Sequence, residues 1–144
     1  MSQYTHILAA VDLTEEAQQV ARRAAALAQT SNAKLSLVHV VEPLTFAYGG
    51  DIPVDLSEIQ QQLQQQATQQ LQELGASINV DEANRHILTG SAVTEIHDIA
   101  AELGADLIVV GSHGRKGLAL LLGSTANGVL HGARCDVLAV RVPD

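Results

Sequence analysis

Short apolar runs alternate along the chain with longer segments in which apolar residues recur every three or four positions. The short runs are typical of buried strands, and the longer periodic segments are typical of amphipathic helices. The predicted strands cover residues 7–11, 35–41, 85–88, 107–110 and 137–142. The predicted helices cover residues 17–28, 58–74, 93–103 and 124–132, and Thr14 is expected to cap the first of them.

This alternation predicts an α/β fold, with a parallel sheet covered by helices on both faces and joined by right-handed crossovers. A length of 144 residues is close to the commonest size of one domain, so residues 1–144 are expected to form a single domain. Ligands of open sheets bind beyond the carboxyl ends of the strands. Asp12, Val40 and Gly111 are expected to meet there.

Two segments between the predicted elements depart from the simple alternation. Residues 44–57 lose the periodic pattern and carry Gly49, Gly50 and Pro53, which predicts a long loop. The stretch that follows is rich in Gln, yet its apolar residues keep helical spacing, which favours an amphipathic helix over a low-complexity segment. Gly75 is expected to end that helix.

The charge and cysteine content exclude several classes of partner. A formal net charge of −8 argues against binding to nucleic acid or to an anionic membrane surface, both of which need a surplus of basic residues. A small phosphate ligand remains compatible, because backbone N–H groups can hold it. Cys135 is the only cysteine, so no intrachain disulfide can form. With no signal peptide and no long apolar span apparent, we expect a cytoplasmic protein.

The segment after the fourth predicted strand carries the strongest chemical signal. Glycines at 111 and 114 allow the backbone to turn tightly, and Gly123, Ser124 and Thr125 then open a helix. Their backbone N–H groups and two hydroxyls lie at the positive end of the helix dipole, which suits a phosphate chain. The alternative is that these glycines only turn the chain, but their place at the carboxyl edge of the sheet favours the ligand.

Three motifs of nucleotide-binding enzymes and serine hydrolases are absent from the sequence. It contains no Gly-x-x-x-x-Gly-Lys-Ser/Thr loop, no Gly-x-Gly-x-x-Gly after the first strand and no Gly-x-Ser-x-Gly. The six histidines show no metal-ligand spacing, so no metal site made by protein alone and no catalytic residues are predicted. His113 is predicted either to meet a phosphate or to face solvent.

Five segments, in a specific order and spacing, extend over nearly the whole chain. They are Ile-Leu-Ala-Ala-Val-Asp-Leu at 7–13, Leu-Ser-Leu-Val-His-Val-Val-Glu at 35–42, Asp-Leu-Ile-Val-Val-Gly-Ser-His-Gly-Arg at 106–115, Gly-Ser-Thr-Ala-Asn at 123–127 and Cys-Asp-Val-Leu-Ala-Val-Arg-Val at 135–142. Together they resemble the universal stress protein (UspA) family. The resemblance implies a Rossmann-like, five-stranded parallel sheet in the order 3-2-1-4-5. It also implies homodimers joined along the last strand, which begins at Val137 and ends at Val142.

The family's nucleotide-binding members carry Gly, two residues, Gly, nine residues, then Gly and Ser or Thr. The present chain matches at Gly111, Gly114, Gly123 and Ser124, but only eight residues separate the second and third glycines. The UspA-like branch lacks this pattern and is thought not to hold ATP, so the chain resembles the binders more. The resemblance further implies that Asp12 lies beside the ribose or adenine. A helix-capping role is the alternative for that carboxylate.

The expected ligand is ATP, or ADP or AMP, with any magnesium held by the phosphates. Slow hydrolysis of bound ATP is the most that we expect. By the same resemblance, Val40 offers its backbone groups to the adenine edge. The nucleotide-binding residues expected from the resemblance and from the position of the strand ends are Ala10, Val11, Asp12, Val40, Val110, Gly111, His113, Gly114, Gly123, Ser124, Thr125 and Ala126.

Two functions of different classes remain open on these observations. The first is a homodimeric stress-response regulator that binds an adenine nucleotide, which the matched glycines favour. The second is a nucleotide-free dimeric interaction protein whose glycine loop contacts a protein partner, which the shortened loop favours.

Overall fold

The computed structural model describes residues 4–14, 17–43, 57–111 and 124–141. Within these residues the strands are β1 (His6–Ala10), β2 (Lys34–Val41), β3 (Arg85–Thr89), β4 (Leu107–Gly111) and β5 (Asp136–Val140). The helices are α1 (Ala17–Ser31), α2 (Ser57–Ser77), α3 (Ala92–Leu103) and α4 (Ser124–Gly132), with a short 3₁₀ turn at Glu82–Asn84.

The strands form one sheet in the order β3-β2-β1-β4-β5, and every neighbouring pair is parallel. This confirms the predicted fold class and strand order. Consecutive parallel strands need a crossover, which the helices supply. The chain crosses from β2 through β3 back to β4 on the other side of β1. The carboxyl ends of β1 and β4 therefore lie side by side where the strand order reverses.

Two apolar clusters cover the two faces of the sheet. On one face, Ile7, Leu37 and Val109 pack with the buried sides of α1 and α2. On the other face, Leu8 and Val38 pack with α3 and α4. The strand β4, between β1 and β5, is buried on both faces, with residues 107–110 at most 3% exposed, as its almost continuous apolar sequence predicts.

The boundaries of some elements differ from the prediction. The strand β1 begins one residue earlier, at His6, and ends at Ala10, so Val11 lies just beyond it. The strand β5 covers Asp136–Val140, and Val142 lies outside the described residues. Of the predicted loop at 44–57, only Ser57 is described, as the first residue of α2. Gly104 ends α3 in the left-handed conformation that favours glycine, with a φ of 69°.

The prediction that Gly75 ends the second helix is wrong, because α2 continues to Ser77. The glycine is needed for close packing instead. A Cβ at position 75 would collide with the Arg85 side chain, which lies across it. Arg85 donates from Nε to the Val80 carbonyl oxygen at 2.8 Å and also hydrogen-bonds Gln72. The packing of α2 on β3 thus sets the requirement at position 75.

Candidate functional site

Val11, the first residue after β1, is hydrogen-bonded to β2 through both its N–H and its carbonyl oxygen. The Val11 N–H donates to the Val38 carbonyl oxygen at 2.9 Å. The Val11 carbonyl oxygen lies 2.8 Å from Nδ1 of His39. Leu13 follows with a φ of 61°, in the left-handed region that a non-glycine residue rarely adopts. These contacts fix the place at which the chain turns from β1 towards α1.

Asp12 is exposed and stabilises this turn through one carboxylate oxygen. Its Oδ1 accepts hydrogen bonds from the Thr14 N–H at 3.1 Å and from the Thr14 hydroxyl at 2.7 Å. The Thr14 hydroxyl, expected to cap α1, therefore donates to Asp12, while the Thr14 carbonyl accepts from Ala17 N–H at 3.0 Å. In the part of the chain that the structure describes, Oδ2 of Asp12 has no hydrogen-bond partner. The two described hydrogen bonds of Asp12 therefore hold the turn before α1, which begins at Ala17, and they leave Oδ2 for a ligand.

The backbone of Val40 faces the end of β1. The Val38 carbonyl accepts from β1, whereas the Val41 carbonyl accepts from Gly90 N–H at 3.2 Å, on the β3 side. Because successive residues of a strand direct their backbone groups to opposite sides, the N–H and C=O of Val40 point towards β1. The last paired residues on that side are Ala10 and Val38. Val40 therefore presents its backbone beyond the point where β1 stops pairing.

The other predicted residues for which the structure gives a position gather at the same edge. Val40, Val110 and Ala126 belong to one buried cluster, and Ala10 packs against it. Gly111 ends β4, where it pairs with Val140. Ser124 and Thr125 are the first two residues of α4, so the amino end of that helix begins next to the cluster. His113, Gly114 and Gly123 lie outside the described residues.

Two side chains at the end of β2 went unnoticed in the sequence. His39 reaches the Val11 carbonyl, and Glu42 accepts the Ala92 N–H at the start of α3 through Oε2 at 3.2 Å. They link β2 to β1 and to α3. The sequence feature that could have indicated them is a histidine and a glutamate, His39 and Glu42, at the end of a mostly apolar strand.

Within the described residues there is neither a metal-ligand cluster nor a thiol with a lowered pKa. Across the described ranges, no group of three or more His, Cys, Asp or Glu side chains is placed to hold a metal ion. Burial raises the pKa of the Cys135 thiol, and the nearby carboxylates of Asp136 and Asp106 raise it further. A raised pKa disfavours the thiolate, which is the nucleophilic form. Among the helices so described, none is long and apolar enough to cross a membrane.

Comparison with known proteins gives a consistent family match. The model of the universal stress protein family matches residues 3–141. Universal stress protein A homolog 1 of Coxiella burnetii is 45% identical over 139 residues, which is 95% of this chain and 96% of the relative. Universal stress protein A homolog 2 of the same organism is 40% identical over 146 residues, which is 99% of this chain and 98% of the relative.

Solved structures of the same family share the fold. The universal stress protein UspA from Lactobacillus plantarum superposes with a TM-score of 0.77 at 25% identity, covering 99% of this chain and 100% of that one. A universal stress protein crystallised in complex with cAMP superposes with a TM-score of 0.68 at 22% identity, covering 97% of this chain and 98% of that one.

Proposed function

Because the chain belongs to the universal stress protein family, we propose that it is a cytoplasmic, homodimeric stress-response regulator that binds an adenine nucleotide, with ATP as the favoured ligand. The observation that carries this proposal is the position of Val40. Its backbone N–H and C=O face the edge where β1 stops pairing, and its side chain belongs to the same buried cluster as Ala126 in the first turn of α4.

The backbone of Val40 matches the hydrogen-bonding edge of adenine. One residue supplies a donor and an acceptor, and adenine presents a ring nitrogen that accepts beside an amino group that donates. The neighbouring side chains of Ala10 and Val110 are apolar and belong to the same packed surface. A flat base can rest on such a surface while its edge pairs with the backbone. The described residues at this edge therefore fit an adenine base.

Asp12 is suited to the ribose. Its Oδ1 is already engaged with Thr14, which holds the carboxylate in one orientation. Its Oδ2 then remains as an acceptor for a ribose hydroxyl. A hydrogen bond to a charged acceptor is worth about 1.5–3 kcal/mol. Such a bond would favour a nucleotide over a free base.

The phosphates are proposed to lie at the amino end of α4. The chain has a net charge of −8, so the attraction for phosphate must come from local donors. The first turn of a helix supplies unpaired N–H groups and a partial positive charge. Ser124 and Thr125 begin α4, and the sequence places Gly123 just before them. Any magnesium is proposed to be held by the phosphates.

One structural relative supports the class of ligand. The relative crystallised with cAMP holds an adenine nucleotide on the same fold. At 22% identity this likeness shows the fold alone, so the nucleotide of the present chain rests on the geometry of its own edge. The homodimer is proposed because β5 lies at the edge of the sheet and its Val137, Leu138 and Val140 are only partly buried.

Calorimetric titration of ATP, ADP and AMP into the protein tests the proposal. We expect saturable binding of ATP to the wild type and loss of binding in Gly123→Val, because a bulky residue there obstructs the approach of phosphate to the backbone. Ser124→Ala should weaken binding about ten- to a hundredfold through loss of one hydrogen bond. Circular dichroism controls for folding. Absence of ATP binding in the wild type would favour the nucleotide-free interaction protein.

A further inference from the structure

The series of hydrogen bonds between β1 and β2 ends one bond earlier than in a regular parallel strand pair. Because the Val11 N–H donates to the Val38 carbonyl, the next bond of a parallel pair would run from the Val40 N–H to the Val11 carbonyl. The pairing of β1 with β2 ends instead at Ala10 and Val38. The Val11 carbonyl is taken by a side chain, since its oxygen lies 2.8 Å from Nδ1 of His39.

The chemistry of this contact fixes the proton on the ring. A carbonyl oxygen can only accept a hydrogen bond, so Nδ1 of His39 carries the proton and donates it. The backbone groups of His39 point to the β3 side, because those of its neighbours Val38 and Val40 point to β1. Only the side chain of His39 therefore reaches β1. It satisfies the carbonyl that the Val40 N–H would otherwise bind.

We propose that His39 is a positioning residue that ends the β1–β2 pairing and thereby keeps the Val40 N–H available to a nucleotide base. The choice of base as the occupant rests on the proposed function. The hydrogen bond between His39 and Val11, and the availability of the Val40 N–H that results from it, are features of the protein without ligand. The same bond anchors the chain immediately before the left-handed Leu13 and the turn that carries Asp12. His39 thus holds the proposed base contact and the proposed ribose contact in one arrangement.

Other side chains at position 39 would have a predictable effect. Leucine has a similar size but no donor, so the Val11 carbonyl would lack its partner. The nearest backbone donor is the Val40 N–H, and pairing with it would extend the sheet by one bond and close the base contact. Asparagine can place its side-chain N–H near the position of Nδ1 and should retain the native arrangement. His39→Leu and His39→Asn are therefore matched variants.

Amide hydrogen exchange in the ligand-free protein tests this role directly. In the wild type, the Val40 amide should exchange at least about tenfold faster than the Val38 amide, which lies within the paired region. In His39→Leu the Val40 amide should become more protected, whereas a general loss of stability would make it less protected. His39→Asn should behave as the wild type. A Val40 amide that is as protected as the Val38 amide in the wild type would overturn the proposal. This measurement requires only the wild-type protein.

Titration of ATP into the same three proteins tests the consequence for the ligand. His39→Leu should bind about tenfold more weakly or worse, and His39→Asn should stay within about threefold of the wild type. Equal affinity of the wild type and a folded His39→Leu would overturn the role of His39 in binding. If the wild type itself does not bind ATP, the proposed function fails, while the exchange rates still decide whether His39 keeps the Val40 amide free.

Discussion

At the residue scale, the two carboxylate oxygens of Asp12 differ in their contacts at the end of β1. Its Oδ1 holds the turn through the Thr14 N–H and hydroxyl. Its Oδ2 is the acceptor that we assign to the ribose. Leu13 keeps its left-handed φ of 61° only because the contacts on either side determine the path of the chain. A change at Asp12 can therefore separate the structural task from binding.

The first prediction uses Asp12→Asn. Asparagine keeps an oxygen for the two hydrogen bonds from Thr14, but it replaces Oδ2 with an amide donor. ATP affinity should fall about tenfold or more, and the free energy of unfolding should change by less than about 1 kcal/mol. Isothermal titration and urea unfolding measure the two quantities. Thr14→Val removes the hydroxyl donor but keeps the Thr14 N–H that also holds Oδ1, so this control should leave ATP affinity within about threefold. Unchanged affinity in Asp12→Asn would contradict the assignment.

A second group of polar residues lies at the opposite, amino end of the sheet. His6 is 9% exposed. Its Nε2 lies 2.8 Å from the Ser36 hydroxyl, and its Nδ1 lies 3.1 Å from the Leu103 carbonyl oxygen. The carbonyl can only accept, so Nδ1–H donates to it and Nε2 can accept from Ser36. The ring of His86 is nearby, and within the described residues its buried Nε2 has no hydrogen-bond partner.

The surroundings of both histidines lower their pKa values. Burial lowers the pKa of His86, the nearby His6 and Lys34 lower it further, and Glu102 opposes them. Burial also lowers the pKa of His6, with Lys34 acting in the same direction and the Leu103 carbonyl opposing it. Asp106, which accepts hydrogen bonds from the N–H groups of Thr5 and His6, likewise opposes the shift at His6.

The second prediction concerns acid. Because the folded-state pKa values of His6 and His86 lie below the unfolded-state value of about 6.5, the unfolded chain takes up protons first as the pH falls. The free energy of unfolding should decrease from about pH 6.5 downward. Urea unfolding at pH 8 and pH 5.5 should show this loss in the wild type and a smaller loss in His86→Leu. An equal loss in both proteins would show that His86 does not contribute.

At the element scale, α3 and α4 pack closely because α4 has glycine at two positions one turn apart. A Cβ at Gly128 would lie 2.6 Å from Cγ2 of Val93, and a Cβ at Gly132 would collide with the ring of His97. His97 also donates from Nε2 to the Val129 carbonyl at 2.9 Å. This contact sets where α4 lies, and hence where its amino end meets the candidate site.

The third prediction is a double-mutant cycle between Gly128 and Val93. Gly128→Ala alone should destabilise the protein by about 1–2 kcal/mol, because overpacking outweighs the gain in helix propensity. In a Val93→Ala background the same substitution should be neutral or stabilising, since the colliding methyl group is absent. The coupling energy from urea unfolding should exceed about 0.5 kcal/mol. Additive effects would mean that the two helices are not in contact at this position.

How far the sequence predicted each element depended on whether local pattern or distant contact decided it. The strand β4 was predictable because a continuous apolar run needs burial on both faces. The end of α2 was not predictable, because glycine at position 75 is required by its contact with Arg85 between α2 and β3. Helical periodicity carries no information about that contact. In the site, Asp12 was predictable as the first polar residue after a strand. The role of His39 depends on the pairing of β2 with β1, so it required the structure.

At the scale of the whole molecule, the order of the strands determines both the site and the free edge. The strands β2 and β3 lie on one side of β1, and β4 and β5 lie on the other, so the strand order reverses between β1 and β4. In folds of this type the reversal opens the carboxyl edge to a ligand. The same order leaves β5 at one side with an exposed Ala139 between the partly buried Val140 and Leu138. An apolar edge strand tends to pair with another chain unless it is covered.

The fourth prediction is that β5 pairs with its copy across a two-fold axis. Sedimentation at micromolar concentration should show a dimer. Ala139→Lys should shift the protein to monomer, because each lysine would face the same strand in the partner. Ile59→Lys, at a residue of α2 that is 49% exposed and outside the proposed interface, is the matched control and should remain a dimer. A stable wild-type monomer, or a dimer that Ala139→Lys leaves intact, would contradict the prediction.

Amide chemical-shift mapping during an ATP titration tests both whether an adenine nucleotide binds at the carboxyl edge of this sheet and where it lies. We expect saturable shifts at one ATP per chain. The largest should fall on Ala10, Asp12 and Val40 and on the first turn of α4, with little change at His6 or His86 at the other end. Absence of shifts at millimolar ATP, or shifts confined to the amino end of the strands, would contradict this proposal.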